Sequence, residues 1–573
     1  MGIRRRTFLG EMLAAGVLPA LGADNPRIAR VGLVTDTHVQ KTMASCVKVR
    51  AALELFKEQG VEMVINCGDI ADHHFPEGYR CYRRTVNEVY PDAASRPKEI
   101  FVYAFHDVFN YKSEGGWNIA RDAAPAFADV QKHLEAPNPH TCDFVWRGLP
   151  FAVFPQSTGM KGFLSWEDYE KTVARLCAEH PGKPVFVLEH VPAAGTTFHS
   201  RHWGSDASRR ALNKFPQVVQ LSGHVHGSLA SERQIWQGEF TAVNIGCLNT
   251  WGGFAPGSTP PRQAKDNFGV LMMDVYRDRL VFTRFDVRDR SQPGAPWVVP
   301  LPFVAQEAPF RPSVHAQRTP KAAFAAGAVA TTTPVAKGYT ISFPEAREGG
   351  DAFMYRLEAQ RKSASDGAWQ TFSRDDIFGD FWKAPKDRTG KMAYTLSAGF
   401  FTPGEAYRIS VTPLDFFFRP TAPIFTEFFA AHTAGKTLWK CADPRTELAF
   451  TQWGKPVEMS TDGRFVPSSG QGTLRLPEHT FKPLEPGTRA RVVLDIDAVQ
   501  PDGEWCAWRA GLRTRGGGPY LAEVQTAPGT PGVLRYVFDF TVPTAGLDTC
   551  DILFNYVSPR ASLTVIDVEL QVI

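Results

Sequence analysis

Five short blocks in the first half of the sequence carry side chains that bind metal ions: Asp36-Thr37-His38, Gly68-Asp69, His106-Asp107, His190 and Gly223-His224-Val225-His226. Asp36 and His38 occupy alternate positions, so a chain leaving a strand points both toward one ion. Asp69 offers two oxygens, and a bridging carboxylate is how two cations come to lie ~3.5–4 Å apart. His190, His224 and His226 add imidazoles, and the single residue between the last two lets one loop serve neighbouring ions. A mixed oxygen and nitrogen donor set suits zinc, manganese or iron and does not choose among them. Such a centre lowers the pKa of water to ~7 in the zinc case and clamps phosphoryl oxygens against developing charge, which is the chemistry of phosphate-ester hydrolysis. Singly, an Asp-x-His pair or a buried histidine is more often structural; the joint occurrence carries the inference.

These residues must be delivered by strand ends. Segments 31–34, 63–66, 100–104, 185–188 and 218–222 are short and apolar and read as buried strands. Between them, 47–58, 126–134, 166–179 and 206–214 carry apolar residues at helical spacing. The alternation predicts an α/β layered domain with every block at the C-terminal end of a strand, where side chains converge on a crevice. After His226, residues 234–244 and 268–287 alternate in period two, as antiparallel strands do. A Pro-rich stretch at 292–320 marks a boundary. Beyond it, β-rich runs at 339–343, 353–360, 393–397, 407–413 and 424–431 predict a β-sandwich. Runs at 473–476, 490–496, 533–540, 551–554 and 562–572 predict a second all-β unit. The predicted limits are 27–295 for the α/β domain, then 310–433 and 436–573 for the two sandwiches.

Composition narrows the function classes. The 573 residues are 43% hydrophobic, and 63 Lys+Arg against 60 Asp+Glu is too near balance for a molecule-wide polyanion surface, so nucleic acid is not an expected partner. Residues 1–23 contain Arg4-Arg5-Arg6-Thr7-Phe8-Leu9, a short apolar run at 12–21, and small residues at Ala20, Gly22 and Ala23. That segment resembles a twin-arginine export signal and predicts a periplasmic or extracellular protein. The run is about half the ~20 residues that cross a bilayer, and no later segment is long and apolar enough, so no membrane span is expected. Nine cysteines without C-x-x-C spacing argue against a zinc knuckle or a dense disulfide framework, and leave open a bridge between Cys506 and Cys550.

In type, order and strand context the five blocks resemble the calcineurin-like metallophosphoesterases, over roughly residues 30–290. The resemblance implies a four-layer α/β sandwich with a first ion held by Asp36, His38, Asp69 and His226. It implies a second ion held by Asp69, His190, His224 and an asparagine, at whose aligned position this sequence has Phe105. A shift of the alignment, or replacement by Asn110, Asp107, Asn66 or water, is left open. The resemblance implies that His106 is the acid or hydrogen-bond donor near the leaving group, with Asp107 orienting its ring. Residues 68–72 lack the tyrosine ligand of purple acid phosphatases, which disfavours that branch. Residues 403–411 resemble late strands of a fibronectin type III module, and the last unit resembles a jelly-roll or galactose-binding-like sandwich.

The expected whole is multi-domain, an α/β four-layer metallophosphoesterase sandwich followed by two all-β sandwich domains. Its expected activity is hydrolysis of a phosphomono- or phosphodiester, on a small molecule or a glycan, with two divalent or trivalent ions and metal-bound hydroxide as nucleophile. His199, Arg201 and His202, with Trp203, are the expected substrate-binding residues; His73, His74, Tyr79, Arg80 and Trp251 are weaker candidates. Trp439, Trp453, Trp505, Trp508 and Tyr520 permit a carbohydrate surface on the last unit. Two rivals stand beside this reading: a non-catalytic metal- or glycan-binding protein whose second site Phe105 has degraded, and a surface adhesin dominated by the β units.

Overall fold

The computed structural model describes residues 25–109, 119–249, 268–335, 338–363, 366–383, 385–402, 404–430, 435–452, 455–457, 459–460, 464–465, 471–499, 507–516, 518–522, 525–528, 532–555 and 562–573. Residues 1–23, where an export signal is expected, and Asn110, Trp251, Trp453, Trp505 and Cys506 lie outside these residues, as does the side chain of Trp508. Among the described residues no helix is long and apolar enough to cross a membrane.

The N-terminal unit is built from two sheets. Strands β1 (Ala29–Val34), β2 (Met63–Asn66) and β3 (Lys98–Phe101) run parallel. Helices α1 (Val47–Glu58) and α2 (Pro76–Val89) form the crossovers between them. After α3 (Ile119–Leu134), the second sheet begins with β4 (Cys142–Trp146) and β5 (Leu149–Val153). It continues through α4 (Trp166–Glu179), β6 (Val185–Leu188), α5 (Ser200–Trp203), α6 (Asp206–Leu212), β7 (Val218–Ser222), β8 (Ile235–Gln237) and β9 (Thr241–Asn244). The chain then returns to the first sheet as β10 (Gly269–Val275), β11 (Arg279–Asp286) and β12 (Trp297–Pro300). The sheet orders are β12-β11-β10-β1-β2-β3 and β4-β5-β6-β7-β9-β8.

Burial explains the layering. β6 is Val-Phe-Val-Leu with all four residues buried, as a parallel strand covered on both faces requires. Val31, Leu33, Ile65, Phe186, Leu188 and Leu221 meet between the sheets. Val34, Val64 and Phe101 face α1, α2 and α3, while Val185 and Val187 face α4 and α6. The result is the expected four layers. α2 is absent from the sequence reading because its inner face sets Tyr79, Tyr82, Arg83 and Thr85 among only two aliphatic residues, Val86 and Val89. Arg83 is buried because Nε donates to the Leu134 carbonyl at 2.6 Å and Nη1 meets Glu99 at 2.6 Å. α3 begins seven residues before the predicted start and carries Pro125 in its interior, the residue that interrupts the helical pattern.

The Pro-rich stretch is not a bare linker. β12 pairs with β11, and α7 (Pro312–Arg318) sets His315 against Phe310. Glu232 fastens this region, accepting from Trp297 Nε1 at 3.0 Å and lying 3.2 Å from His315 Nε2 and 2.8 Å from Arg284 Nη2. Burial alone would raise the Glu232 carboxyl, but His315, Arg284 and Trp297 outweigh it and hold the group at about 2. A depressed folded-state pKa contributes stability that is present above the ordinary value of about 4.5 and lost as pH falls toward the folded value. The unfolding free energy from urea titration is therefore expected to drop between about pH 5 and pH 2, by on the order of 2–3 kcal/mol, and Glu232→Gln is expected to be less stable at pH 7 with a flatter profile in that window. Equal pH slopes in the two proteins would contradict this assignment.

A sandwich of seven strands follows. β13 (Thr331–Val335), β14 (Gly338–Pro344), β15 (Met354–Lys362), β16 (Trp369–Phe378), β17 (Lys391–Ser397), β18 (Ala406–Leu414) and β19 (Ile424–Phe429) form sheets β13-β14-β17 and β16-β15-β18-β19 around Tyr339, Ile341, Leu357, Ile409 and Val411. The remaining described chain forms a four-stranded and a six-stranded sheet over Leu494, Ile496, Leu512, Phe538 and Ile552. Within that unit Trp439 packs partly against the core and Tyr520 is exposed. The N-terminal unit meets the first sandwich through Phe198, which packs with Phe353, Phe381, Leu414 and Phe416.

Candidate metal centre

Each candidate ligand block lies just beyond a parallel strand. Asp36 and His38 follow β1, Asp69 follows β2, and His106 follows β3, all on one sheet; His190 follows β6, and His224 and His226 follow β7 on the other. The loops stay in register past the strand ends, with Asp36 N–H donating to the Gly68 carbonyl, His38 N–H to Asp69, and Gly223 N–H to His190. The seam between the sheets thus brings the blocks together. Asp36, His38, Asp69 and His226 form one group of ligand atoms within 4.8 Å of one another, and Asp69, His190 and His224 form a second. Asp69 belongs to both.

The backbone is strained at these positions. Asp36, His38, Asp69, His224 and His226 all have positive φ, half of the ten described non-glycine residues that do. Left-handed conformations of such residues cost of order 1–3 kcal/mol each and gather at functional sites. Two glycines make the approach possible. Gly68 has φ +97, and a Cβ there would lie 2.9 Å from Ala104 Cβ and from His190 Nδ1. At Gly223 a Cβ would lie 2.0 Å from Thr35 Oγ1 and 2.5 Å from Asp36 Oδ2.

Hydrogen bonds aim the donors inward. Asp36 Oδ2 accepts from Thr35 Oγ1 at 2.8 Å and His224 N–H at 3.0 Å, leaving Oδ1 toward the centre, 3.0 Å from His226 Nε2. His190 Nδ1 donates to the Cys67 carbonyl at 2.8 Å, so Nε2 presents its lone pair 3.0 Å from Asp69 Oδ2. Among the described residues, Asp36 Oδ1 and His190 Nε2 are buried with no hydrogen-bond partner. His38 Nε2 and His226 Nε2 face each other at 3.2 Å.

The electrostatics call for positive charge. Burial would raise the Asp36 carboxyl, yet His226 and His190 hold it down at about 2. Burial would lower His190, yet Asp69 and Asp36 push it up to about 9. Burial, with His190 beside it, pushes His224 down to about 3, the neutral form in which an imidazole binds a metal. Paired carboxylates, inward lone pairs and buried unsatisfied atoms fit two cations of the zinc, manganese or iron type.

His106 and Asp107 behave differently from expectation. The Asp107 carboxylate is a loop clasp: Oδ1 accepts from Ile70 N–H at 2.9 Å and Ala71 N–H at 3.1 Å, and Oδ2 from Ala104 N–H at 3.2 Å. Burial, then the charge of Asp69, pushes that carboxyl up to about 7. The His106 ring is instead held by Asp72, whose carbonyl accepts from Nδ1 at 2.7 Å and whose Oδ1 lies 3.8 Å away. Asp72 Oδ1 also lies 3.4 Å from His38 Nδ1. Sequence reasoning passed over Asp72, although its place three residues after Asp69 was the available signal. It also missed Glu189, a buried carboxyl pushed up to about 7 by burial and held by Tyr169, Ser208 and Gln220, which anchors the end of β6 beside His190.

The remaining candidates divide. His74 and Tyr79 are structural, both directed at the Asp107 carbonyl at 2.9 and 2.8 Å. Arg80 is on the surface, paired with Glu77. His73 borders the centre, its ring 6.2 Å from that of His106. Trp203 packs on His224, with ring centroids 5.4 Å apart. His199 lies in the cleft beside Val225 and His226, Arg201 on the adjoining wall, and the side chain of His202 lies outside the described residues. Phe105 turns its ring to the cluster formed by α1–α3, while its N–H donates to Gln156 Oε1 at 2.7 Å. Asn66, a suggested substitute ligand, is occupied at Oδ1 by Gly68 N–H at 3.1 Å.

Residues 29–228 match the family model of the calcineurin-like phosphoesterases. The N-terminal unit is therefore a calcineurin-like phosphoesterase domain, a family of dinuclear metal-dependent phosphoesterases, carried in a chain whose C-terminal half is all β. Among solved structures it is similar to a dimetal phosphatase from Danio rerio, with 11% identity, 48% of this chain and 99% of that one covered, and a TM-score of 0.33. It is also similar to a purple acid phosphatase from yellow lupin seeds, with 14% identity, 48% and 53% coverage, and a TM-score of 0.33. A further similarity is to the N-terminal cellulose-binding domain of Cellulomonas fimi β-1,4-glucanase C, with 18% identity, 22% and 89% coverage, and a TM-score of 0.16. No curated protein matches the chain.

Proposed function

We propose that the chain is an exported, metal-dependent hydrolase of phosphomono- or phosphodiesters. The observation that carries this reading is the pair of ligand groups sharing Asp69 at the seam of the two sheets. Asp36, His38, Asp69 and His226 would hold one ion, and Asp69, His190 and His224 the other. When bound, the two ions supply Lewis acidity that activates water and stabilises the charge gathering on phosphoryl oxygens. The protein's own residues do the rest. With Nδ1–H fixed by the Asp72 carbonyl, His106 exchanges its proton at Nε2 and delivers it to the departing oxygen. The Asp107 clasp holds the loops after β2 and β3 at fixed spacing, so Asp107 acts by positioning rather than by proton transfer. The twin-arginine-type segment at 4–9 supports export, and the two sandwiches serve to place the enzyme on a surface, a glycan or a larger substrate.

A screen of phosphate esters with zinc, manganese or iron loaded tests the reading: hydrolysis of bis(p-nitrophenyl) phosphate or p-nitrophenyl phosphate by the wild type, lost in Asp36→Asn, supports it. A metal-loaded protein inert to every ester would favour the non-catalytic rival, for which Phe105 is the specific observation. Phenylalanine cannot coordinate, so the second ion lacks one neutral oxygen. Phe105→Asn is expected to raise second-site affinity by about tenfold, within the 10–100-fold range typical of supporting ligands. Rate measured against limiting metal reads this directly, and an unchanged metal dependence would mean that another group already fills the position.

A further inference from the structure

Past β6 the chain leads from the metal centre to a cavity of about 310 Å³ between the phosphoesterase domain and the first sandwich. Phe198 and His199 line both this cavity and the narrower cleft bordered by Val225 and His226, so these two residues form the wall shared with the ligand loop. The domain contributes Phe198, His199, Arg201 and Arg233; the sandwich contributes Phe417 and Phe418.

The walls are built rather than incidental. The Arg233 guanidinium lies over the Phe198 ring at 5.3 Å and the Phe418 ring at 5.1 Å, joining the two units. Phe198 N–H donates to the Arg233 carbonyl at 2.9 Å. Across the cavity, Asp415 Oδ1 accepts from Phe417 N–H and Arg419 N–H, both at 2.9 Å, and holds a tight turn in which Phe418 has φ 59. His199 is likewise left-handed, at φ 63. Two guanidiniums and two imidazoles, of which His315 is paired with Glu232, among aromatic faces favour a planar body bearing a carboxylate or phosphate, and the volume lies within the ~300–1,000 Å³ range of small-molecule sites.

We propose that this cavity receives the organic end of the substrate, and that this end carries a ring and a second anionic group. The substrate class is thus a ring-bearing phosphate ester with a further carboxylate or phosphate, and the first sandwich is part of the specificity apparatus. This rests on the phosphoesterase reading of the metal centre.

The test is calorimetric titration of the full metal-loaded chain with phosphonates, whose C–P bond is not hydrolysed: phenylphosphonate against 4-phosphonobenzoate, 1,4-phenylenediphosphonate and the biphenyl homologue of the benzoate. At least one doubly anionic probe is expected to bind about tenfold or more tighter than phenylphosphonate, the worth of one charge-assisted contact. The carboxylate and diphosphonate arms show which anion is preferred. Arg233→Gln and, separately, the exposed Arg201→Gln are expected to erase most of the gain, and Arg233→Lys to restore part of it. Equal affinity for all probes in the wild type, or a gain untouched in both glutamine variants, would overturn the proposal. Failure of the metal reading shows separately, as phenylphosphonate affinity indifferent to EDTA, while the arginine-dependent gain is still scored on its own.

Discussion

Asp69→Asn is expected to lower kcat/KM for a phosphate ester by about 10³-fold or more, since a pair of ions held there would supply several kcal/mol of transition-state stabilisation and each factor of ten is about 1.4 kcal/mol. Asp69 is the residue common to both ligand groups, so its loss weakens both ions at once. Its Oδ1 also accepts from His106 N–H at 3.2 Å, which an asparagine oxygen can continue to do, so the substitution removes charge while sparing the loop. Metal content should fall with activity, and circular dichroism should stay close to that of the wild type. His190→Ala, which touches only the second group, is expected to cost less and to leave the first ion in place. Activity and metal content in Asp69→Asn equal to the wild type would remove Asp69 from the centre.

His106→Ala is expected to lower the rate by about 10²–10⁴-fold, the usual contribution of a positioned general acid. The loss should depend on the leaving group: large for an alkyl phosphate, which needs a proton, and small for p-nitrophenol, which departs as a stable anion. A uniform loss would assign His106 to binding. Asp72 reaches the same ring through its backbone carbonyl, which substitution does not remove, and through a carboxylate 3.8 Å from Nδ1. Asp72→Asn is therefore expected to cost only about tenfold and to shift the pH profile of the alkyl ester, whereas Asp107→Asn should act chiefly on stability, by loosening the three N–H contacts of the clasp.

The layered fold and the clustering of Asp36, His38, Asp69, His190, His224 and His226 were legible in the sequence because strand ends and ligand spacing are local properties. Continuous apolar runs such as 185–188 had only one way to be buried on both faces. What escaped is non-local or breaks the polar-out rule. α2 buries Arg83 by pairing it with Glu99 and a carbonyl on α3, which no periodicity reveals. β16 carries Arg374, Asp375 and Asp376 in a row, yet it pairs along β15, where Arg356 meets Asp376 at 2.9 Å. Asp107 follows His106 directly and was assigned to its ring, but adjacent residues diverge, and the carboxylate finds backbone N–H groups instead. The cavity between Phe198 and Phe418 joins segments more than two hundred positions apart, and only the docked units bring them together.

One carboxylate, Asp69, is common to both ligand groups and would join two ion sites in the proposed hydrolytic centre. Metal content per chain, measured by mass spectrometry on reconstituted wild type, Asp69→Asn and a His190→Ala/His224→Ala double variant beside their turnover of bis(p-nitrophenyl) phosphate, tests it most directly. Two ions with turnover in the wild type, one ion with little turnover in the double variant, and less than one in Asp69→Asn is the predicted series. The same ion count in all three proteins would contradict it.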